Sequence, residues 1–185
     1  MIWVFVINNY MADSDYIQKV QDAARNKPYS SDWYREKIKE FGQPGRLDLI
    51  RDGKRKGSPF GGTLNMFVYG PKHKAKLPYY DTFPLVLPLE QYNDGFLGLN
   101  FHYLPIPLRM KLLDRMLDED MNVNYSRIKK IKLIQPTLKR YLTGFTKSQF
   151  RKIEEDELVI ATLLPVHNFK KSDAKSVWSD SRKMI

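Results

Sequence analysis

The chain has 185 residues, enough for one domain around a single core, and its 42% hydrophobic and 28% charged content is that of a globular protein. It has no cysteine, which excludes disulfides, thiolate metal sites and cysteine nucleophiles. With 31 Lys+Arg against 21 Asp+Glu the net charge is +10, which favours a polyanionic partner: nucleic acid, an acidic membrane or an acidic protein.

The apolar run Ile2 to Ile7 is too short to span a bilayer and lacks the flanks of a signal peptide. Met11 opens a second start, so residues 1–10 read either as an over-extended reading frame or as an edge strand. Asp13 to Asn26 reads as a helix with Ile17, Val20 and Ala24 on one face, and Lys27-Pro28-Tyr29 interrupts it. A second helix runs from Ser31 to Phe41, with Trp33, Tyr34, Ile38 and Phe41 as its apolar side and Gly42 as its stop. Gly42 to Gly62 is rich in Gly, Pro and charge and reads as a loop at the boundary of the main domain.

Three strands follow: Leu64 to Tyr69, Phe83 to Leu89 and Phe96 to Phe101, separated by Gly70-Pro71 and Asn93-Asp94-Gly95. Pro84 and Pro88 place the second at an edge or a bend, and Gly98 suits a curved strand or a bulge. Short curved strands of this kind suggest a small barrel. Pro105 then opens a helix with Leu108, Leu112, Leu113, Met116 and Leu117 as its core face. The basic segment beyond it reads as mostly helical: Ser126 to Ile134, Pro136 to Leu142 and Lys147 to Ile153. Glu157 to Leu164 is a compact apolar run, read as the strand that closes the barrel, with a buried helix as the alternative. Ser172 to Ile185 reads as a terminal helix capped by Ser172.

The excess charge is localised. Residues 1–53 hold eight basic and eight acidic residues, whereas Met121 to Ile153 contain nine basic residues and no acid. Those nine, Arg127, Lys129, Lys130, Lys132, Lys139, Arg140, Lys147, Arg151 and Lys152, are the candidate phosphate contacts, because ammonium and guanidinium groups displace condensed counterions. Tyr125 and Tyr141 are the candidate stacking residues, interleaved with Phe145 and Phe150; the alternative is that such aromatics are core residues and the charges merely solvated. About six phosphate contacts would give a slope of log affinity on log salt near −5. Lys54, Arg55 and Lys56, and the set Lys72, His73, Lys74 and Lys76, lie in loops and could widen the same surface.

Other chemistry is weakly marked. Asp52-Gly53-Lys54 is half of a nuclease pattern, and Asp81, Glu90 and Asp94 flank strands without a spacing that fixes their geometry. His73, His102 and His167 are isolated, and His102 reads as a hydrogen-bonded structural residue. Gly57 to Gly62 lacks the Lys-Ser/Thr of a phosphate loop, and no nucleophile elbow is present.

Two stretches carry a family resemblance: Phe67-Val-Tyr-Gly-Pro71 through Leu77-Pro-Tyr-Tyr-Asp81-Thr-Phe83-Pro84-Leu85, and Gly98-Leu99-Asn100-Phe-His102-Tyr103-Leu104-Pro105, with Val177-Trp178-Ser-Asp180-Ser181 near the end. They resemble structural proteins of T4-like tailed phages, cyanophages included, and most nearly the DNA end protector family. The resemblance covers about residues 58–185 and implies a virion protein that caps the termini of packaged DNA. In physical terms Asn100 and His102 either form a polar pair on an outer face or brace the Leu104-Pro105 corner.

The expected architecture is α+β: an N-terminal helical arm over residues 1–57, then an SH3-like barrel over 58–185 with a basic helical insertion over about 105–153 and a C-terminal helix. The expected function is non-enzymatic, with no cofactor and no metal. The protein binds DNA ends or single strands with low sequence preference, protects them from host exonuclease, meets other virion proteins, and acts in the virion and the host cytoplasm without a membrane. The competing readings are a neck, tail or baseplate assembly protein and a Mg²⁺-dependent nuclease. Removal of the basic block is expected to abolish DNA binding and leave the barrel folded.

Overall fold

The computed structural model describes residues 53–185 and has an α+β fold. The expected N-terminal strand, both N-terminal helices and Asp52 lie outside the described residues. No helix among the described residues is long and apolar enough to cross a membrane.

The described residues form eight strands: β1 (Arg55–Lys56), β2 (Asn65–Met66), β3 (Tyr80–Asp81), β4 (Leu85–Tyr92), β5 (Gly95–Asn100), β6 (Leu138–Leu142), β7 (Phe150–Lys152) and β8 (Phe169–Lys170). Among the same residues four α-helices accompany them: α1 (Ile106–Leu117), α2 (Tyr125–Ile128), α3 (Leu158–Leu163) and α4 (Ala174–Met184). Six strands form one antiparallel sheet in the order β1-β7-β2-β4-β5-β6, and β3 pairs with β8 in a separate ribbon. The sheet is open. No pairing among the described residues joins β6 back to β1, and the run expected to close a barrel is helix α3 instead.

The β4–β5 hairpin is the centre of the sheet. Its register pairs Val86 with Asn100 and Leu87 with Leu99, then shifts between Pro88 and Glu90. The expected bend is thus a bulge, placed where proline has no N–H to give the ladder. Gly98 faces Pro88 there, and a Cβ on it would lie 2.4 Å from Val86 Cγ1. Only glycine lets the two strands approach so closely.

Both faces of the sheet are covered. Leu85, Leu87 and Leu99 point to an aliphatic core shared with Ile106, Met110, Leu113 and Met116 of α1 and with Leu158 to Leu164. Val86, Phe96, Tyr141 and Phe150 point the other way and pack with Phe67 and Tyr69 in an aromatic cluster. Full burial of each such side chain contributes about 1.5–3 kcal/mol, so each face is a core in its own right.

The basic block is not a helical insertion. Only Tyr125–Ile128 is α-helical; a 3-10 turn follows at Lys132–Thr137, and the remainder forms β6 and β7. Leu138, Tyr141 and Leu142 have the spacing of one helix face, but Tyr141 belongs to the aromatic cluster and is drawn into the sheet by pairing with Phe96. A second 3-10 turn, Thr143–Phe145, joins β6 to β7. It is pinned by Gly70 N–H to Phe145 O at 3.1 Å and Lys147 N–H to Val68 O at 2.7 Å. Deleting residues 121–153 would remove two strands, so the expected survival of the fold after that deletion is overturned.

Candidate nucleic-acid interface

The residues of the family-like motif converge on one buried knot rather than on a surface. Asp81 Oδ2 accepts from His102 Nδ1 at 2.7 Å and from Asn100 Nδ2 at 3.2 Å, and Oδ1 accepts from the amides of Phe83 and Asn168. Asn100 Nδ2 also donates to the Tyr141 hydroxyl at 3.0 Å, and Asn100 Oδ1 caps the following 3-10 turn through His102 N–H. Trp178 Nε1 donates to His102 O at 2.9 Å, tying α4 to the same point. The fully buried Arg109 donates from Nε to Leu104 O at 2.7 Å. Asn100 and His102 are both fully buried, so they brace the Leu104-Pro105 corner and form no outer-face pair. His102 is the hydrogen-bonded structural residue that the sequence suggests.

The nine basic candidates separate into distinct places. Lys129, Lys130 and Lys132 are exposed, with no acidic partner among the described residues. Arg127 beside them is 68% exposed and meets Glu119 at 3.2 Å, a surface pair worth at most about 1 kcal/mol and easily exchanged for a phosphate. Arg140 is exposed and pairs with Asp94 at the tip of the β4–β5 hairpin. Lys139 is half-buried with its Nζ 4.0 Å from the Tyr103 ring centroid, and burial lowers its ammonium to about 8.

Three candidates are placed elsewhere. Arg151 is buried and holds Glu157 through two hydrogen bonds of 3.2 and 2.7 Å. Lys152 is half-buried on Glu154. Arg151 pins β7 to the start of α3, Lys152 is held on its own chain two residues on, and both are poorly placed for phosphate. Lys147 is exposed but packs against Gly70, next to Lys72, His73, Lys74 and Lys76. Lys171 locks that second basic loop by donating to Ala75 O and Leu77 O at 2.8 and 3.0 Å.

The two stacking candidates also part company. Tyr141 is 3% exposed and stacked on Phe96 at 5.2 Å between ring centroids, so no base can reach it. Tyr125 is half-exposed at the start of α2. Sequence reasoning missed Tyr92, the exposed aromatic at the hairpin tip, whose ring lies 3.9 Å from the Arg140 guanidinium. The available signal was the Tyr-Asn-Asp-Gly turn, which raises an aromatic at the end of a hairpin. Tyr92 donates to Glu90 Oε2 at 2.9 Å, and that bond, first among several influences, raises its phenol above the ordinary value.

Tyr92 and Arg140 thus stand together at the hairpin tip, and Arg127, Lys129, Lys130 and Lys132 form an exposed cationic run in and after α2. Asp81, Glu90 and Asp94 do not share a metal-sized site: the first is buried on His102, the second holds Tyr92 and the third holds Arg140. Among the described residues no group of three or more His, Asp or Glu is placed to hold a metal ion.

Comparison with known proteins gives one family. The model of the phage T4 terminal DNA protecting protein family matches residues 3–181, reaching well into the stretch before residue 58 that carries no motif by eye. No curated protein and no solved structure matches the chain.

Proposed function

The chain belongs to the phage T4 terminal DNA protecting protein family, and on that footing we propose that it binds the ends of packaged phage DNA and shields them from host exonuclease. The match over residues 3–181 carries this reading. The exposed cations Arg127, Lys129, Lys130, Lys132 and Arg140 support it, because such groups bind phosphates without reading sequence. In this reading the protein is a binding protein and not an enzyme. It acts in the virion and in the host cytoplasm, beside other virion proteins. An SH3-like character for the sheet is part of the same proposal, supported by its short antiparallel strands and by the 3-10 turn between β6 and β7.

Digestion of linear duplex by a processive exonuclease, with and without the protein, tests the proposal. Protection at stoichiometric protein, lost on raising the salt, is the expected result. Unchanged digestion together with no measurable DNA binding at low salt would overturn it.

A further inference from the structure

Among the described residues Tyr92 is the only exposed Phe, Tyr or Trp, at 42%. It stands at the tip of the β4–β5 hairpin, whose turn is only Asn93-Asp94, and it is fixed from several sides. Glu90 holds its hydroxyl at 2.9 Å, Arg140 lies over its ring at 3.9 Å, and Asp94 holds Arg140 in turn. A ring already fixed loses little freedom when a ligand lands on it. The guanidinium occupies one side of the ring, and the exposed remainder is a flat apolar surface with a cation beside it. Such a surface is completed by a nucleobase, whose stacking on an aromatic ring is favourable for any base. Along an intact duplex every base face is covered by its neighbours. A terminus alone presents a bare base-pair face.

Resting on the DNA-end reading above, we infer that Tyr92 stacks on the terminal base pair of bound duplex, with Arg140 beside the adjoining phosphate, and that this contact makes the protein prefer ends to duplex interior. The cationic run from Arg127 to Lys132 supplies affinity for any stretch of backbone. Tyr92 supplies the selection.

Two duplexes of one sequence test this, one with free blunt ends and one whose ends are each sealed by an ethylene-glycol bridge that covers the terminal base pair. Wild-type protein prefers the open duplex. In Y92A the ratio of the two affinities falls by about tenfold, the loss of one stacked base, whereas Y92F keeps the ratio because its ring still stacks. 2-Aminopurine placed at the terminal position changes its fluorescence on binding wild type and Y92F but not Y92A. An unchanged affinity ratio in Y92A, or a wild-type ratio of one, overturns the inference while leaving DNA binding in place. Failure of the wild type to bind either duplex overturns the functional reading itself.

Discussion

The Asp81 carboxylate is buried and accepts four hydrogen bonds, two from side chains and two from backbone amides. Burial alone would raise its pKa. The charge and hydrogen bond of His102, with the amides of Phe83 and Asn168, outweigh that and bring it below the ordinary carboxylate value. Burial in turn lowers the His102 imidazole against the pull of Asp81, with the Arg109 guanidinium adding to the lowering. Both groups therefore resist protonation more in the folded chain than in the unfolded one, and stability falls with pH. The His102 contribution begins to fade below its unfolded value of about 6.5, and that of Asp81 below about 4. The urea midpoint should accordingly drop from about pH 7 to about pH 5, and the drop should flatten in H102Q, whose amide donates to Asp81 without titrating. An equally steep drop in H102Q would refute the assignment to His102. D81A strands four donors at once and should cost about 3–5 kcal/mol in the same measurement, as breaking a buried pair does.

At the scale of elements, the hairpin and the two long helices are legible because each carries an unambiguous period or turn. Asn93-Asp94-Gly95 between apolar runs gives β4–β5, and Leu108 to Leu117 repeats with helical spacing. The elements that sequence misplaces are those whose local pattern points one way and whose neighbours pull the other. In β6 the helical spacing of Leu138, Tyr141 and Leu142 loses to a five-pair register with β5 and the aromatic cluster beside it. In α3 every residue is buried, so no period exists to read, and the signal was instead Glu154 and Glu157, which cap each other's backbone in a reciprocal box. The interface is legible only in its charges. Tyr92 escaped notice because it lies outside the basic block, and it meets Arg140 only across the hairpin. The same packing dictates which glycines cannot change. A Cβ on Gly95 would sit 1.9 Å from Tyr141 O, and one on Gly98 would press the Val86 side chain. G98A should therefore cost about 1–3 kcal/mol, as overpacking does. G95A should cost more, since backbone cannot rotate away, and Gly144, with open space around it, tolerates alanine. Thermal melts rank the three, and G144A as damaging as G95A would refute the ranking.

At the scale of the molecule, the net charge of +10 is not one patch. The nine cations of the acid-free block from Met121 to Ile153 divide into an exposed run from α2 to the following 3-10 turn (Arg127, Lys129, Lys130, Lys132), Lys139 on Tyr103, Arg140 at the hairpin tip, Lys147 against Gly70, and Arg151 and Lys152 on glutamates beside β7. Sequence position groups them, and the fold assigns them different work. Two multiple variants separate that work. K129Q/K130Q/K132Q removes three exposed charges that pack on nothing acidic among the described residues, so the melting temperature should stay within a degree or two of wild type while DNA affinity falls. The slope of log affinity on log salt should become shallower by about three, close to one unit for each lost phosphate contact. R151Q/K152Q removes the same kind of charge from the sequence, yet it leaves Glu157 and Glu154 without their partners beside β7. That variant should lose about 2–3 kcal/mol of stability and keep the wild-type salt slope under conditions where it is folded. Counting charge alone predicts nearly equal effects from the two variants. A slope that falls as much in R151Q/K152Q as in the lysine triple would show that phosphates reach β7 and that the pairing with Glu157 yields to DNA.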